Sequence, residues 1–284
     1  MKKLAVFFHV YYHKQVDYFI EKLGNINNCE WDLFVTYSTY SATTEQKIRE
    51  FKPDAHFIAV ENVGYDIWPF IKAIKSVDIL QYDLIMKIHT KNKNTKPNKI
   101  NGIRFKGYLW RNILVDSMLL NRSRFRKCAG LLEDDRVGMV CGYEVLKTVS
   151  GSLPEDSGKM RTEAMRIGFR TDHRKFCAGT MFLAKPEALV PILESDVNPD
   201  TWETVSKSHS SGSMAHIYER LLSFSTYEAG LDIRSVITYP KETLLVYFHS
   251  VIGPALKFLF SLNREGEERD KYLTVIGLKI KLSR

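Results

Sequence analysis

The sequence predicts an α/β protein: a Rossmann-type, mostly parallel sheet with flanking helices, followed by a small C-terminal appendage. Three observations carry that prediction. Short apolar runs alternate with stretches of helical period through the first third of the chain. The runs barely alternate polar with apolar residues, as expected of strands covered on both faces. Gly, Asn and Pro cluster at the junctions, where turns need them.

Taken in order, strands are expected over residues 4–10, 31–37, 56–60 and 84–88, and helices over 14–23, 43–51 and 69–79. In the first helix Val16, Phe19, Ile20 and Leu23 share one face. The third strand runs into Asn62-Val63-Gly64-Tyr65-Asp66, a tight exit in which Asn and Gly tolerate left-handed backbone angles. Asp66 and Pro69 suit the start of the next helix, Asp by capping and Pro by its fixed φ. Residues 91–106, polar with Pro97 and Gly102, read as a mobile loop. A helix over 107–120 presents Leu109, Ile113 and Leu120, and a strand follows over 136–145. Residues 150–174 read as a second irregular stretch, of the kind that forms lids, binding loops or plain surface excursions. A strand over 176–183, a helix over 186–193 and a helix over 211–223, entered through Ser211-Gly212-Ser213, complete the main domain.

Strand–helix alternation of this kind gathers ligands at the strand carboxyl ends. Those ends fall near His9 to Tyr12, Tyr37-Ser38, Asn62 to Asp66 and His89 to Lys91. The strand over 84–88 delivers Lys87, His89 and Lys91 to one such end, and three basic side chains there suit a phosphate or diphosphate. Solvated lysines at an ordinary strand–loop junction would read the same way.

Composition sets the bounds. The chain has 284 residues, enough for one large domain over 1–240 and an appendage over 241–284. Its formal charge of +8 fits an anionic substrate or an anionic membrane surface. No zinc-ligand spacing, recognition-helix pattern or RNA-binding aromatic signature accompanies that charge, so nucleic acid is not an expected partner. Four scattered cysteines form no Cys-x-x-Cys pair and read as reduced thiols, which suits the cytoplasm. The N-terminal apolar run is interrupted by His9 too early for a signal peptide. Residues 244–260 are apolar but broken by His249, Gly253-Pro254 and Lys257, too interrupted to span a bilayer. With Arg264, Arg269, Lys271, Lys279, Lys281 and Arg284, the appendage suits an interfacial element against lipid head groups, or packing on protein. Residues 272–281 alternate as an edge strand does.

Asn62-Val63-Gly64-Tyr65-Asp66-Ile67-Trp68-Pro69-Phe70 and Lys87-Ile88-His89-Thr90-Lys91 resemble the two most recognisable stretches of the rhamnan synthesis protein F family of bacterial glycosyltransferases. Phe176-Cys177-Ala178-Gly179-Thr180-Met181-Phe182 and His216-Ile217-Tyr218-Glu219-Arg220-Leu221 are similar to two more, and the four together cover about residues 3–240. The resemblance implies a transferase moving a sugar, with rhamnose first, from a nucleotide-diphosphate donor such as dTDP-rhamnose. The acceptor it implies is a lipid-linked bacterial surface polysaccharide, O-antigen or capsule, at the inner face of the cytoplasmic membrane. The alternative is a non-catalytic nucleotide-sugar or carbohydrate-binding protein on the same fold. A nucleotidyl or phosphoryl transferase is disfavoured, since no P-loop is visible.

The order of elements also resembles the GT-A architecture of family 2 glycosyltransferases, in which an apolar strand ends in a metal-holding Asp-x-Asp. Here His89-Thr90-Lys91 stands in that place, so hard carboxylate ligands are absent there and Lys91 can supply the positive charge itself. The departure implies metal-independent donor binding, although an acidic residue elsewhere could still bring Mg²⁺. His9, Tyr11, Asn62, Gly64, Asp66, Lys87, His89 and Lys91 are the expected donor contacts. Asp66 suits sugar hydroxyls or a helix cap, Arg111 a phosphate or solvent, and Gly179-Thr180 a ligand passage or tight packing. His216 and Glu219, three apart on one helical face, are the candidate bases for the acceptor hydroxyl, Glu219 first. Asp172 is a further carboxylate for that role, and ordinary ion pairing of Glu219 and Arg220 on a surface helix is the plain alternative.

Overall fold

The computed structural model describes residues 1–100, 103–149, 154–172, 175–202, 213–248, 252, 255–256, 259–265 and 270–282. In it the first apolar run forms β1 (Lys2–Val10), buried from Leu4 to Val10 because both faces are covered. The chain divides into two units, residues 1–93 with 108–238, and residues 94–107 with 239–284.

In the first unit β1 is followed by α1 (Val16–Leu23), β2 (Cys29–Tyr37), α2 (Ala42–Phe51), β3 (His56–Ala59), α3 (Ile67–Lys75) and β4 (Leu84–His89). The 94–107 segment of the second unit folds as a hairpin, β5 (Asn94–Ile100) and β6 (Ile103–Gly107), where the sequence suggests a loop. The chain then runs through α4 (Leu109–Leu119), α5 (Arg122–Leu131), β7 (Val137–Gly142), β8 (Leu146–Thr148) and α6 (Pro154–Arg166). After these come β9 (Lys175–Cys177), β10 (Phe182–Ala184), α7 (Val190–Glu194), α8 (Met214–Glu228) and β11 (Asp232–Val236).

Seven strands share one sheet in the order β11-β7-β10-β4-β1-β2-β3. Only β10 runs against its neighbours β4 and β7; the other pairings, β7 with β11 and β4-β1-β2-β3, are parallel. The register sets Phe7 of β1 opposite Lys87 of β4, and His9 opposite His89. Phe7 stacks on Phe34 at 5.1 Å, and Phe70 of α3 meets Phe7 edge-on at 5.6 Å and Phe182 at 5.8 Å. Each such buried side chain contributes about 1.5–3 kcal/mol, so α3 is held firmly over the sheet. That anchoring fixes the turn leading into α3.

Three expectations need correction. The strand expected over 176–183 is two strands, because Gly179 (φ 80°) and Thr180 (φ 46°) reverse the chain between β9 and β10. Part of the irregular 150–174 stretch is α6, and α5 is a helix with only Phe125 and Cys128 buried, started by Asn121, whose side chain accepts the Arg124 N–H. In the second unit α9 (Pro240–Tyr247) precedes a meander of β12 (Phe260–Glu265), β13 (Asp270–Val275) and β14 (Leu278–Lys281). The supposed edge strand is therefore a hairpin turning at Ile276 (φ 50°) and Gly277 (φ 76°). His249, Gly253, Pro254, Lys257, Arg269 and Arg284, and the Ser211-Gly212 approach to α8, lie outside the described residues. Among the described residues no helix is long and apolar enough to cross a membrane.

Candidate functional site

Between β3 and α3 the chain makes a left-handed turn at Gly64 (φ 63°) and Tyr65 (φ 57°). Asn62, expected to share that conformation, does not adopt it and is exposed. A β-carbon on Gly64 would lie 2.2 Å from Trp202 Cε3 and 2.9 Å from Trp68 Cβ, so glycine is required both by φ and by space. Asp66 occupies the cap position of α3 without capping it. Its carboxylate turns inward instead.

There Asp66 Oδ2 accepts from Lys87 Nζ at 2.6 Å and from the Thr180 hydroxyl at 2.7 Å, and Lys87 also donates to Thr180 Oγ1 at 2.9 Å. His89 Nδ1 lies 3.3 Å from the same oxygen, and neither of its ring nitrogens makes a hydrogen bond among the described residues. Burial opposes the charge on Asp66, but His89, Lys87 and Lys91 outweigh it and hold the carboxyl far below the usual carboxylate range. Burial lowers the Lys87 ammonium despite the pull of Asp66, and drives the His89 imidazole well below its usual value against the same pull. Lys87 and His89 are each 1% exposed, which corrects their expected role: Lys87 neutralises Asp66 from beneath, His89 lies uncharged beside it, and neither presents itself to a diphosphate.

Lys91, past the end of β4, is placed differently. Gln15 grips its backbone, donating to Lys91 O at 2.6 Å and accepting from Lys91 N–H at 3.3 Å. The Thr90 hydroxyl accepts the N–H groups of Tyr11 and Tyr12, each at 2.9 Å. Arg111 is buried between the rings of Tyr18 (3.7 Å) and Tyr108 (4.0 Å) and donates to Asn112, so it is neither solvated nor on the cavity described below. His9 is buried against Thr36 at 3.0 Å, and burial pushes its pKa down to about 4. Tyr11 is exposed, while Tyr37 lines a smaller groove with His13, Tyr40, Thr44 and Glu45.

The β9–β10 turn and α8 supply the opposite wall. Glu219 Oε1 accepts the Gly179 N–H at 2.6 Å, pinning the turn that carries Thr180. Ser213 caps α8, accepting the His216 N–H at 3.4 Å, and its hydroxyl lies 2.7 Å from His216 Nδ1. The Tyr65 ring stands 6.3 Å from that of His216. Arg220 is buried and donates to the His216 carbonyl, so the plain alternative of a surface-exposed arginine does not hold there.

Together these pieces enclose a cavity of about 170 Å³ at the strand carboxyl ends. Asp66, Lys91, Gly179, Thr180, His216 and Glu219 line it, four separate chain segments brought together as their types suggest. Tyr65, Ile67 and Ala215 also line it, and Trp202 packs beside Gly64; none was singled out from the sequence, although Tyr65 sits within the Asn62–Asp66 stretch. Asn62, Gly64, His9, Tyr11, Lys87, His89 and Arg111 are not on its wall, and exposed Asp172 is not there either. The donor set at the end of β4 does not fit a divalent cation: His89 is buried beside Lys87, Thr90 already serves two N–H groups, and Lys91 is cationic. Among the described residues no group of three or more His, Cys, Asp or Glu is placed to hold a metal ion.

The profile of the family described as rhamnan synthesis protein F matches residues 1–231, and the chain belongs to that family. Two curated relatives from Xanthomonas campestris pv. campestris, strains B100 and ATCC 33913, both described as uncharacterized protein WxcX, are 23% and 22% identical over 178 residues. That stretch is 62% of this chain and 24% of each relative, so the chain spans about a quarter of their length. Among solved structures, S. aureus TarS (1–349) overlays with a TM-score of 0.42 at 11% identity, covering 86% of this chain and 63% of that one. A Desulfovibrio desulfuricans G20 protein, provisionally assigned as a nucleotide-diphospho-sugar transferase, overlays with a TM-score of 0.37 at 10% identity, covering 84% and 80%. The fold is a mostly parallel seven-stranded sheet with flanking helices.

Proposed function

We propose that this member of the rhamnan synthesis protein F family is a glycosyltransferase acting on a nucleotide-diphosphate sugar. The preferred donor is dTDP-rhamnose and the acceptor a growing lipid-linked surface polysaccharide, reached from the cytoplasmic face of the membrane. The observation that carries the reading is the cavity at the strand ends, which combines one cation, two carboxylates and an imidazole: Lys91, Asp66, Glu219 and His216. A sugar diphosphate needs that combination, with positive charge for the leaving group, acceptors for hydroxyls and a base for the incoming hydroxyl.

In this reading the nucleoside lies along the groove by Tyr37 and Thr44, and the diphosphate meets Lys91 without a metal ion. The sugar enters the cavity, and the acceptor approaches from α8. Glu219 or His216 takes the hydroxyl proton as the new glycosidic bond forms and the nucleoside diphosphate leaves. Glu219 is preferred, since the Gly179 N–H already fixes one of its oxygens and so orients the other. Exposed Leu244, Phe248, Ile252 and Leu256 in the second unit support peripheral contact with lipid.

A thermal-shift panel of nucleotide sugars, followed by a transfer assay, tests the proposal. A donor at a hundred times its Kd adds about 2.7 kcal/mol to apparent stability, so the correct one should stand out. Binding without transfer to any glycan acceptor would favour a non-catalytic binder. No shift with any nucleotide sugar would reject the reading.

A further inference from the structure

Among the described residues, both hydrogen bonds that Asp66 accepts run to the single oxygen Oδ2, from Lys87 at 2.6 Å and Thr180 at 2.7 Å. The Lys87–Thr180 bond at 2.9 Å closes the triangle. None of the three atoms can move alone: Lys87 is held by β4 between β1 and β10, and Thr180 by a turn that Glu219 pins. Asp66 nevertheless lines the cavity, which leaves Oδ1 as the oxygen available to a ligand.

We propose that Lys87 and Thr180 are positioning residues, which lock Asp66 Oδ2 so that Oδ1 stands in the cavity as a fixed acceptor for a hydroxyl of the transferred sugar. The inference rests on the sugar-transfer reading above and adds to it which part of the donor this wall recognises. A carboxylate oxygen attracts neutral hydroxyl donors and repels phosphate oxygens. The wall formed by Asp66 and Glu219 therefore takes the polyhydroxylated part of the donor, and the anionic part stays by Lys91. Preorganisation matters because an acceptor already held in place loses little freedom when the hydroxyl arrives. A site built to pair a hydroxyl also discriminates strongly against an analogue lacking it, since the buried acceptor is then left unpaired.

The test is calorimetric titration of the full chain with two probes, dTDP-rhamnose and dTDP. If another sugar leads the panel above, it and its parent nucleoside diphosphate are the probes. Lys87→Met and Thr180→Val should each weaken nucleotide-sugar binding by roughly ten- to a hundredfold, the range for hydrogen bonds to charged groups. Binding of the nucleoside diphosphate should stay within about threefold, and Thr180→Ser, which keeps the hydroxyl, should restore the sugar-dependent part. Lys87→Met strands a buried carboxylate, so Thr180→Val, which keeps the ion pair, carries the test if the first variant does not fold.

A second readout is the carboxyl ¹³C titration of Asp66. The titratable groups around it are Lys87 and His89 on β4, Lys91 beyond it and His9 on β1, with His216 and Glu219 on the same cavity. In Lys87→Met the Asp66 titration should move upward, because the direct cation is gone. Equal weakening of both ligands, unchanged sugar affinity, or an unmoved Asp66 titration would overturn the positioning role. Wild-type protein that binds the diphosphate but no nucleotide sugar overturns the substrate assignment. Wild-type protein that binds neither overturns the sugar-transfer reading, and this inference with it.

Discussion

Gly64→Ala is the sharpest perturbation the structure offers, because it adds one atom whose surroundings are known. The new Cβ would lie 2.2 Å and 2.5 Å from two ring carbons of Trp202, a buried side chain packed on Tyr218 at 4.7 Å. That ring has nowhere to retreat without disturbing α8. The left-handed φ of 63° costs an alanine about 1–2 kcal/mol, and overpacking of this kind adds about 1–3 kcal/mol. The sum, about 2–5 kcal/mol, lowers Tm by roughly 4–20 °C for a unit of this size. Gly168→Ala separates the two contributions, since Gly168 has φ 80° with nothing within 4 Å of its added Cβ. It should lose only the conformational part. Paired urea titrations measure both variants, and nucleotide-sugar titration should show Gly64→Ala weakened as Tyr65 shifts. Equal destabilisation by the two substitutions would refute the claim that Trp202 demands glycine at position 64.

Lys91→Ala should weaken nucleoside-diphosphate binding by about 1.5–3 kcal/mol, and wild-type binding should persist in excess chelator; unchanged affinity, or full dependence on Mg²⁺, defeats this. Glu219→Gln and His216→Asn, tested separately, should leave donor affinity intact, and the one that removes the base should slow transfer by about 10²–10⁴-fold. Rates within about threefold of wild type in both would assign the pair to structure. Asp66→Asn should abolish transfer and also destabilise by about 3–5 kcal/mol, because it leaves buried Lys87 without its counter-charge; near-normal urea stability would contradict the ion pair. His9 gives a pH prediction. An unfolded histidine binds its proton as pH falls through about 6.5, whereas buried His9 waits until about 4, so stability should fall by up to about 3 kcal/mol across that window. His9→Gln should flatten that part of a Tm-against-pH profile, and an unchanged slope would remove His9 as its source.

How far the site was legible depended on whether a residue's chemistry or its direction was in question. Asp66, Lys91, His216 and Glu219 stand out by their chemistry and Thr180 by its place in a run of small residues, and the fold brings all five to one cavity. The parallel block β4-β1-β2-β3 was legible because unbroken apolar runs between amphipathic helices have few other solutions. What failed was local and physical. The apolar stretch from Phe176 to Phe182 hides a chain reversal, since Gly179 adopts φ 80° without any change in hydropathy around it. In the second unit the turn at Ile276-Gly277 places an isoleucine at φ 50°, where Asn or Asp would normally announce a hairpin. Trp202 was invisible because its role is to fill the space beside Gly64, and tertiary contacts of that kind leave no spacing to read.

Lys87, His89 and Lys91 show why direction mattered most. Strand period places side chains two apart on the same face, so all three could be expected to reach one ligand. The expectation omits where the strand ends. β4 stops at His89, so Lys87 and His89 lie under α3, where Asp66 meets them, whereas Lys91 stands beyond the sheet on the cavity wall. One short motif thus puts its two lysines to different uses. Lys87, inside the sheet beside uncharged His89, neutralises a carboxylate of the protein, and Lys91, past the sheet's edge, is left for a carboxylate or phosphate of the ligand. Lengthening β4 by one residue pair would carry Lys91 inside as well, which makes the strand end itself, held by Thr90 and Gln15, the feature that sets the cavity's charge.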